Sequence, residues 1–287
     1  MTDRNRISRR DSAAMSPFRY PGGKAFFAEE LHRAVQAMPG GITAYLEPYA
    51  GGAGAAIRLL GAEAVDLVYL NDADIRVYSA WKAMITDNRR FLDALADTPV
   101  DMDAWWRHKA IVEDPALAAD EFELGFATFF LNRTNRSGIV RGAGPIGGYS
   151  QEGTWKLDVR FNRAAMIERV QWIGSHADRI RLYNMDGLKF VKHTSSEIDL
   201  ERSLYFIDPP YVAAGSRLYL NGMKTRDHIL LGAYLCSGLI PHWIVTYDDC
   251  DLIRDAYRMA NISRLDVLYS LQNKRLEGEI LVTPTQV

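Results

Sequence analysis

Short apolar runs alternate with stretches of helical spacing along most of the chain. Five runs have the length and the β-branched and aromatic content of buried strands. One begins at residue 45, and the others cover residues 67–70, 180–183, 204–207 and 243–247. Strands separated by helices predict an α/β fold with a mostly parallel sheet. Two late runs, residues 264–268 and 279–282, predict an antiparallel hairpin at the edge of that sheet.

A long helical stretch interrupts this alternation. Its aromatic residues recur at helical spacing and are predicted to be core; they include Phe91, Trp105, Trp106, Phe126 and Phe129. Helices between two α/β halves predict an inserted, mainly helical subdomain over residues 88–163. The α/β domain then comprises residues 18–87 and 164–287. Residues 1–17 are polar and rich in arginine, which predicts a flexible basic arm.

Composition bounds the class of protein. Apolar residues make up 48% of the chain and charged residues 24%, as in ordinary globular proteins. No apolar run is long enough to span a membrane, and the N-terminus lacks the apolar core of a signal peptide, so we expect a cytoplasmic protein without a membrane partner. Cys236 and Cys250 lack metal-type spacing, and no metal is expected. The net charge of −2 argues against nucleic acid, but arginines cluster in the first residues and between residues 133 and 163, and local patches decide phosphate contact.

Three acidic residues, Asp72, Asp186 and Asp208, each follow a predicted strand. In an open parallel sheet the carboxyl ends of the strands share one crevice, where ligands bind. A glycine-rich loop, residues 49–54, follows the first strand with a spacing that is neither a dinucleotide fingerprint nor a P-loop. An acid after the second strand is placed to accept hydrogen bonds from ribose hydroxyls. We assign Asp74 to the helix N-cap, which leaves Asp72 for a ligand.

The tetrapeptide Asp208-Pro209-Pro210-Tyr211 predicts a rigid corner directly after a buried strand. Proline cannot extend a central strand and restricts the residue before it, so the strand ends abruptly. A carboxylate, a backbone carbonyl and an aromatic face then point the same way. This combination suits a planar ring that bears an amino group, whereas the tetrapeptide alone is equally compatible with an ordinary β-turn.

Two further segments have the composition of anion-binding sites. A Pro-Gly-Gly turn before Lys24 presents backbone N–H groups and a lysine to a carboxylate or phosphate. A long loop after the helical stretch alternates arginines, amides and hydroxyls with glycines, which can contact phosphates and base edges. Its candidate DNA-binding residues are Arg133, Asn135, Arg136, Ser137, Arg141 and Tyr149. The alternative is a mobile surface loop, although structureless loops of this length are more often functional.

In this order, the motifs resemble those of the Dam-like family (D12 class, alpha group) of DNA N6-adenine methyltransferases, from residue 18 to residue 282. The resemblance implies a Rossmann-like methyltransferase fold that uses S-adenosylmethionine, yields S-adenosylhomocysteine and needs no metal. The implied cofactor-binding residues are Tyr20, Lys24, Gly51, Gly52, Gly54, Asp72 and Asp186. The implied catalytic residues are Asp208, Pro209, Pro210 and Tyr211.

The resemblance further implies that a target adenine is flipped out of double-stranded DNA. Asp208 and the carbonyl of Pro209 hold its amino group, and Tyr211 stacks on its ring. We then expect a cytoplasmic monomer or homodimer, associated with the nucleoid through DNA, that acts either in epigenetic regulation or beside a restriction nuclease. Residues 88–163 are expected to recognise the target sequence.

The chain departs from the family pattern in two places. The glycine loop is one residue longer than usual, and Arg136 and Ser137 stand where Dam itself has an aromatic and an amide residue. We therefore expect a different recognition sequence. Two alternatives stay open: methylation of RNA or of a protein glutamine, and a DNA-binding regulator that keeps the fold without turnover.

Overall fold

A seven-stranded sheet forms the centre of the fold in the computed structural model, which describes residues 14–19, 27–38, 40–212, 222–266 and 278–285. The strands are β1 (Ala44–Glu47), β2 (Leu67–Asn71), β3 (Ile180–Tyr183), β4 (Ser203–Ile207), β5 (Trp243–Asp248), β6 (Asn261–Asp266) and β7 (Gly278–Thr283). Their order is β3-β2-β1-β4-β5-β7-β6. The first five pair in parallel, whereas β7 runs antiparallel to both β5 and β6. The predicted mostly parallel sheet with an antiparallel edge hairpin is therefore confirmed.

Helices connect these strands, and polar side chains fix where several of them begin. The helices are α1 (Ala28–Ala37), α2 (Gly54–Gly61), α3 (Ile75–Thr86), α4 (Asn88–Asp97), α5 (Met102–Glu113), α6 (Glu121–Thr134), α7 (Arg163–Ser175), α8 (Gly187–Thr194), α9 (Thr225–Leu235) and α10 (Asp251–Ala256). Asp74 accepts a hydrogen bond from the N–H of Arg76 at 3.0 Å and caps α3, as predicted. Asp101, Asp120 and Asn162 cap α5, α6 and α7 in the same way, and each such cap stabilises by about 1 kcal/mol.

Apolar side chains cover both faces of the sheet. One core joins the sheet to α1–α7, and a second joins it to α8, α9 and α10 through residues such as Phe190, Leu231 and Ile253. Burying each large apolar side chain contributes roughly 1.5–3 kcal/mol. Because both faces are covered, the central strands are buried along their length, and every residue of β4 is buried.

Helix α6 lies at the centre of the larger core. Residues 124–134 are buried without a break, and α3 crosses α6 so closely that a Cβ at Gly125 would lie 2.3 Å from the carbonyl oxygen of Ser79. Phe91 of α4 packs edge-on against Phe126 and Phe129 with ring centroids 5.3 and 5.2 Å apart. This part of the predicted aromatic core is confirmed.

The prediction was wrong for Trp106, whose side chain is 50% exposed, whereas its neighbour Trp105 is fully buried. Consecutive residues of a helix point about 100° apart, and the buried residues of α5 define a face on which Trp106 does not lie.

The helices between residues 88 and 163 share the larger core with the sheet. Their assignment to a separate target-recognition subdomain, with the catalytic domain on either side, stays a prediction. The proposed basic arm lies outside the described residues up to residue 13. In the part of the chain that the structure describes, no helix is long and apolar enough to cross a membrane.

Candidate active site

Asn71, the last residue of β2, joins the loops that follow three neighbouring strands. Its side chain is completely buried. The amide nitrogen donates to the carbonyls of Pro48, after β1, and Met185, after β3, at 2.8 and 3.0 Å. The amide oxygen accepts the N–H of Met185 at 2.9 Å. A buried amide whose donors and acceptor are satisfied allows little rearrangement. The side chain of Asn71 therefore holds the loops after β1 and β3 against the end of β2, at one edge of the sheet.

The carboxylate of Asp72 fixes the glycine loop at this edge. One oxygen accepts the N–H of Gly51 at 3.0 Å and the other accepts the N–H of Asp74 at 2.9 Å. Gly51 has a φ of +46°, a backbone conformation that favours glycine, and its carbonyl accepts the indole N–H of Trp81 at 2.8 Å. Burial raises the pKa of Asp72 to about 6, although both backbone hydrogen bonds act in the opposite direction. Asp72 is therefore mostly ionised at neutral pH.

Glu47 ends β1 as a second carboxyl group at the same edge. Its side chain is 5% exposed, and Oε1 accepts the N–H of Ala56, in the first turn of α2, at 3.1 Å. Burial raises the pKa of Glu47 to about 8, and the nearby charge of Asp208 also raises it. Glu47 is therefore mostly protonated at neutral pH. Gly52 is buried in the loop between β1 and α2, and Gly54 is the first residue of α2.

Asp186 lies after β3 and caps α8, where its carboxylate accepts the N–H of Lys189 at 3.1 Å. The side chain is exposed. The next residue, Gly187, lies against the ring of Tyr49, since a Cβ at that glycine would be 2.3 Å from the ring. Asn184 also donates to the carbonyl of Asp72 at 2.7 Å. The segment with Asp186 thus contacts the segments after both β1 and β2.

The corner at residues 208–211 follows β4, which pairs with β1. Thr246 of β5 donates its hydroxyl hydrogen to Oδ1 of Asp208 at 2.6 Å. The hydroxyl of Tyr211 lies 2.7 Å from Oε1 of Glu279, on β7, and 3.4 Å from Oδ1 of Asp208. Pro209 is buried, whereas Asp208, Pro210 and Tyr211 are half-buried. A carboxylate and an aromatic ring are thus held next to the strand that carries the glycine loop.

Two of the proposed DNA-binding residues are engaged inside the protein. Arg133 is 9% exposed and donates to the carbonyls of Arg160, at 3.0 Å, and Pro17, at 3.2 Å. Asn135 is 1% exposed; its amide nitrogen donates to the carbonyl of Ile139 at 2.8 Å, and its oxygen accepts the indole N–H of Trp105 at 2.8 Å. In this structure, both side chains support the loop from within and do not face solvent.

The other candidates lie on the outside of the same loop. Arg136 and Ser137 are exposed, and Arg141 is half-exposed. Tyr149 is 59% exposed, and its ring stacks on that of Trp106 with centroids 5.7 Å apart and an interplanar angle of 21°. Among the described residues, the exposed aromatic side chains are these two and Trp155.

The loop between residues 141 and 157 is folded around the side chain of Gln151. The amide nitrogen donates to the carbonyls of Ile146 and Gly148 at 2.8 and 2.6 Å, and the amide oxygen accepts the N–H of Leu157 at 2.9 Å. A backbone hydrogen bond between Gly153 and Gly147 closes the loop. The stretch predicted to be without secondary structure therefore holds its candidate residues in a defined arrangement.

A chain of contacts connects the segment that follows α6 to the glycine loop. Asn132 of α6 binds both backbone polar groups of Arg19 at 2.7 Å and the carbonyl of Gly138 at 2.8 Å. Phe18 packs against Trp81 with ring centroids 5.4 Å apart, and Trp81 donates to Gly51. The segment after α6, which carries Arg136 and Arg141, is thus connected to the glycine loop through side chains of α6 and α3 and through residues 18 and 19.

The structure brings Gly51, Asp72 and Asp208 to one edge of the sheet. Tyr20 and Lys24 lie outside the described residues. Among the residues that are described, no cluster of three or more His, Cys, Asp or Glu could hold a metal ion. The roles assigned from sequence to individual residues stay predictions.

Sequence reasoning assigned no individual role to several residues that hold the site: Glu47, Asn71, Trp81, Thr246 and Glu279. Asn71 and Glu47 had a signal, because a polar residue at the end of an apolar run is costly to bury without a partner. No local signal pointed to Thr246 and Glu279, since each forms its hydrogen bond with a residue of the corner that lies more than 30 positions earlier in the chain.

Comparison with known proteins identifies the family. The sequence model for D12 class N6 adenine-specific DNA methyltransferases matches residues 20–271. No curated protein sequence matches the chain significantly. Among solved structures, the rRNA methyltransferase aviRa from Streptomyces viridochromogenes is similar over 96% of this chain and 93% of that chain, with 13% identity and a TM-score of 0.42, too low to support an argument about function. The family match spans most of the chain, which therefore belongs to the D12 class N6 adenine-specific DNA methyltransferase family.

Proposed function

We propose that the protein transfers a methyl group from S-adenosylmethionine to the exocyclic N6 of an adenine flipped out of duplex DNA. Membership of the family supports adenine in DNA as the substrate. The position of Asp208 is the observation that carries the proposal. It follows β4 beside β1 and its glycine loop, where the strand order of the sheet reverses, and ligands of open α/β sheets bind at such switch points.

The residues at this edge fit S-adenosylmethionine. A carboxylate has about four lone-pair positions, and the two hydrogen bonds from Gly51 and Asp74 leave acceptor capacity on Asp72 for ribose hydroxyls. The buried backbone of Gly51 and Gly52 has no side chain to block a ligand. Asp186 lies on the adjoining segment, and Tyr20 and Lys24 are proposed to complete the site. When bound, S-adenosylmethionine supplies an electrophilic methyl group.

The corner would hold the acceptor. Asp208 and the carbonyl of Pro209 each accept one hydrogen bond from the adenine amino group, and Pro210 keeps the turn rigid. These two acceptors orient the amino group and stabilise the positive charge that develops on N6 during transfer. Tyr211 stacks on the adenine ring, and its contacts would offset the few kcal/mol that flipping a base out of the duplex costs.

The exposed side of residues 135–157, which we call the recognition loop, would contact DNA. Arg136 and Arg141 carry charge that can neutralise phosphates, and Ser137 can donate or accept hydrogen bonds at base edges. The stacked pair of Tyr149 and Trp106 offers flat aromatic surface to a base that is unstacked in the complex, a contact worth roughly 1–3 kcal/mol per base. We assign a supporting role to Arg133 and Asn135, because their side chains are buried and hydrogen-bonded within the protein.

Methyl transfer from radiolabelled S-adenosylmethionine to duplex DNA tests the proposal. Wild-type protein should label DNA, and Asp208→Asn should reduce labelling at least 100-fold, because the amide has one acceptor oxygen for two donors, Thr246 and the adenine amino group. Binding of S-adenosylmethionine, measured by calorimetry, should change less than threefold. The exposed acid Asp255 of α10 provides the matched control, Asp255→Asn, which should retain full activity.

The outcomes separate the remaining possibilities. Labelling of RNA or of a protein instead of DNA would show that the protein methylates one of these other substrates. DNA binding without any labelling would show that it is a regulator without turnover. Near-full activity of Asp208→Asn would contradict the role given to the corner.

A further inference from the structure

The corner at residues 208–212 is attached to the sheet by three side chains from the neighbouring strands. Thr246 of β5 donates to Asp208, and Glu279 of β7 accepts from Tyr211. The N–H of Val212 is bound by Oδ1 of Asp248 at 3.0 Å. Asp248 and Glu279 are directly paired between β5 and β7, and paired positions place their side chains on the same face of a sheet. The antiparallel edge of the sheet thus supports the corner.

The hydroxyl group of Tyr211 has one hydrogen and two carboxylates within reach. Its distance is 2.7 Å to Oε1 of Glu279 and 3.4 Å to Oδ1 of Asp208. Since hydrogen bonds between oxygen atoms are normally 2.5–3.0 Å long, the hydrogen lies toward Glu279. The nearer oxygen of Asp208 instead receives the hydrogen of Thr246 at 2.6 Å. Each of the two carboxylates therefore has its own hydroxyl donor.

Glu279 is placed where a carboxyl group is costly. It is 1% exposed in a strand whose next residue, Ile280, is packed in the apolar core on the other face of the sheet. Burying such a group costs several kcal/mol unless hydrogen bonds compensate. The hydrogen bond from Tyr211 is one contact that compensates for this cost.

We propose that Glu279 is a positioning residue for methyl transfer: it holds the hydroxyl of Tyr211 and thereby fixes the ring that stacks on the target adenine. The inference rests on the proposed function. A tyrosine ring turns about two side-chain bonds, and a hydrogen bond at its far end removes that freedom before the substrate arrives. Such preorganisation lowers the barrier of the reacting complex, whereas the affinity for the methyl donor does not depend on it.

A double-mutant cycle between Glu279 and Tyr211 tests the proposal. Glu279→Leu and Tyr211→Phe each remove one partner of the hydrogen bond, and each should lower kcat on duplex DNA about tenfold, with the Kd for S-adenosylmethionine within about twofold of wild type. The double variant should be no slower than the single variants, because both remove the same contact. Glu279→Gln keeps an acceptor oxygen and should restore most of the rate.

Ile280→Val provides the control for stability. It removes one methylene group from the opposite face of β7 and should lower the melting temperature without changing kcat. A double variant whose loss of kcat equals the product of the two single losses would overturn the inference. So would a Glu279→Gln variant that is as slow as Glu279→Leu.

A spectroscopic readout makes the test independent of turnover. In protein with ¹³Cζ-labelled tyrosine, the Tyr211 resonance is assigned by its loss in Tyr211→Phe. It should shift in Glu279→Leu and stay in place in Ile280→Val; an unshifted resonance in Glu279→Leu would overturn the contact itself. Wild-type protein that does not methylate DNA would instead contradict the proposed function, so the two failures are distinguishable.

Discussion

Replacing Glu47 by glutamine should change how the stability of the protein depends on pH. Burial raises the pKa of Glu47 from its ordinary value of 4.5 to about 8. Above pH 4.5 the unfolded chain therefore releases a proton that the folded protein retains until pH 8. Because the unfolded state binds fewer protons in this window, the free energy of unfolding falls as pH rises.

The magnitude follows from the width of that window. One pKa unit corresponds to about 1.4 kcal/mol. Between pH 4.5 and pH 8 the titration of Glu47 therefore lowers the free energy of unfolding by on the order of 4 kcal/mol. Glutamine has no proton to lose, and its amide oxygen can still accept the N–H of Ala56, which Glu47 accepts at 3.1 Å. The stability of Glu47→Gln relative to wild type should therefore rise steadily from pH 5 to pH 8.

Urea unfolding at pH 5, 6, 7 and 8 measures this difference, because other titrating groups are common to both proteins and cancel. Glu201→Gln, at an exposed position after α8, is the matched control for the change of residue type. A stability difference between Glu47→Gln and wild type that stays constant across these pH values would show that Glu47 does not retain its proton in the folded protein.

Four other substitutions test the proposed DNA-binding loop and its attachment. Arg133→Ala should lower the free energy of unfolding by about 2–3 kcal/mol, since it removes the charged donor that the carbonyls of Arg160 and Pro17 share. Arg136→Ala should leave stability unchanged and lower the salt slope of DNA binding by about one, and the opposite pattern would contradict both assignments. Gly138→Ala should destabilise by more than about 1 kcal/mol, because φ is +74° and the new Cβ would lie 2.2 Å from the carbonyl oxygen of Arg19; a wild-type melting curve would count against it. Trp106→Ala should weaken duplex binding about tenfold in a fluorescence titration at unchanged melting temperature, and unaltered affinity would exclude the aromatic contact.

The sheet and the edge that carries the candidate site were predictable from local pattern. Short apolar runs such as residues 204–207 coincide with a buried strand of the structure, because consecutive apolar side chains indicate a strand that is covered on both faces. Acids after such runs had to meet at one edge, since the strands are parallel. The cap at Asp74 was also predictable, as it depends only on the two residues that follow.

Tertiary partners were not predictable in the same way. Arg133 and Arg136 are both arginines of one polar segment, yet Arg133 is buried against Arg160 and Pro17 while Arg136 is exposed. Glu279 holds a tyrosine 68 positions earlier in the chain. Composition and spacing describe what a segment can contact, whereas its actual partners depend on how α6 and the edge strands pack.

Identification of the methylated atom tests the proposed activity directly. Duplex DNA is treated with purified protein and S-adenosylmethionine, digested to deoxynucleosides and analysed by mass spectrometry, with Asp208→Asn as the parallel sample. We expect N6-methyldeoxyadenosine with wild-type protein and its loss with Asp208→Asn. Methylated DNA in which the modification is on cytosine, or N6-methyldeoxyadenosine formed equally by Asp208→Asn, would contradict this expectation.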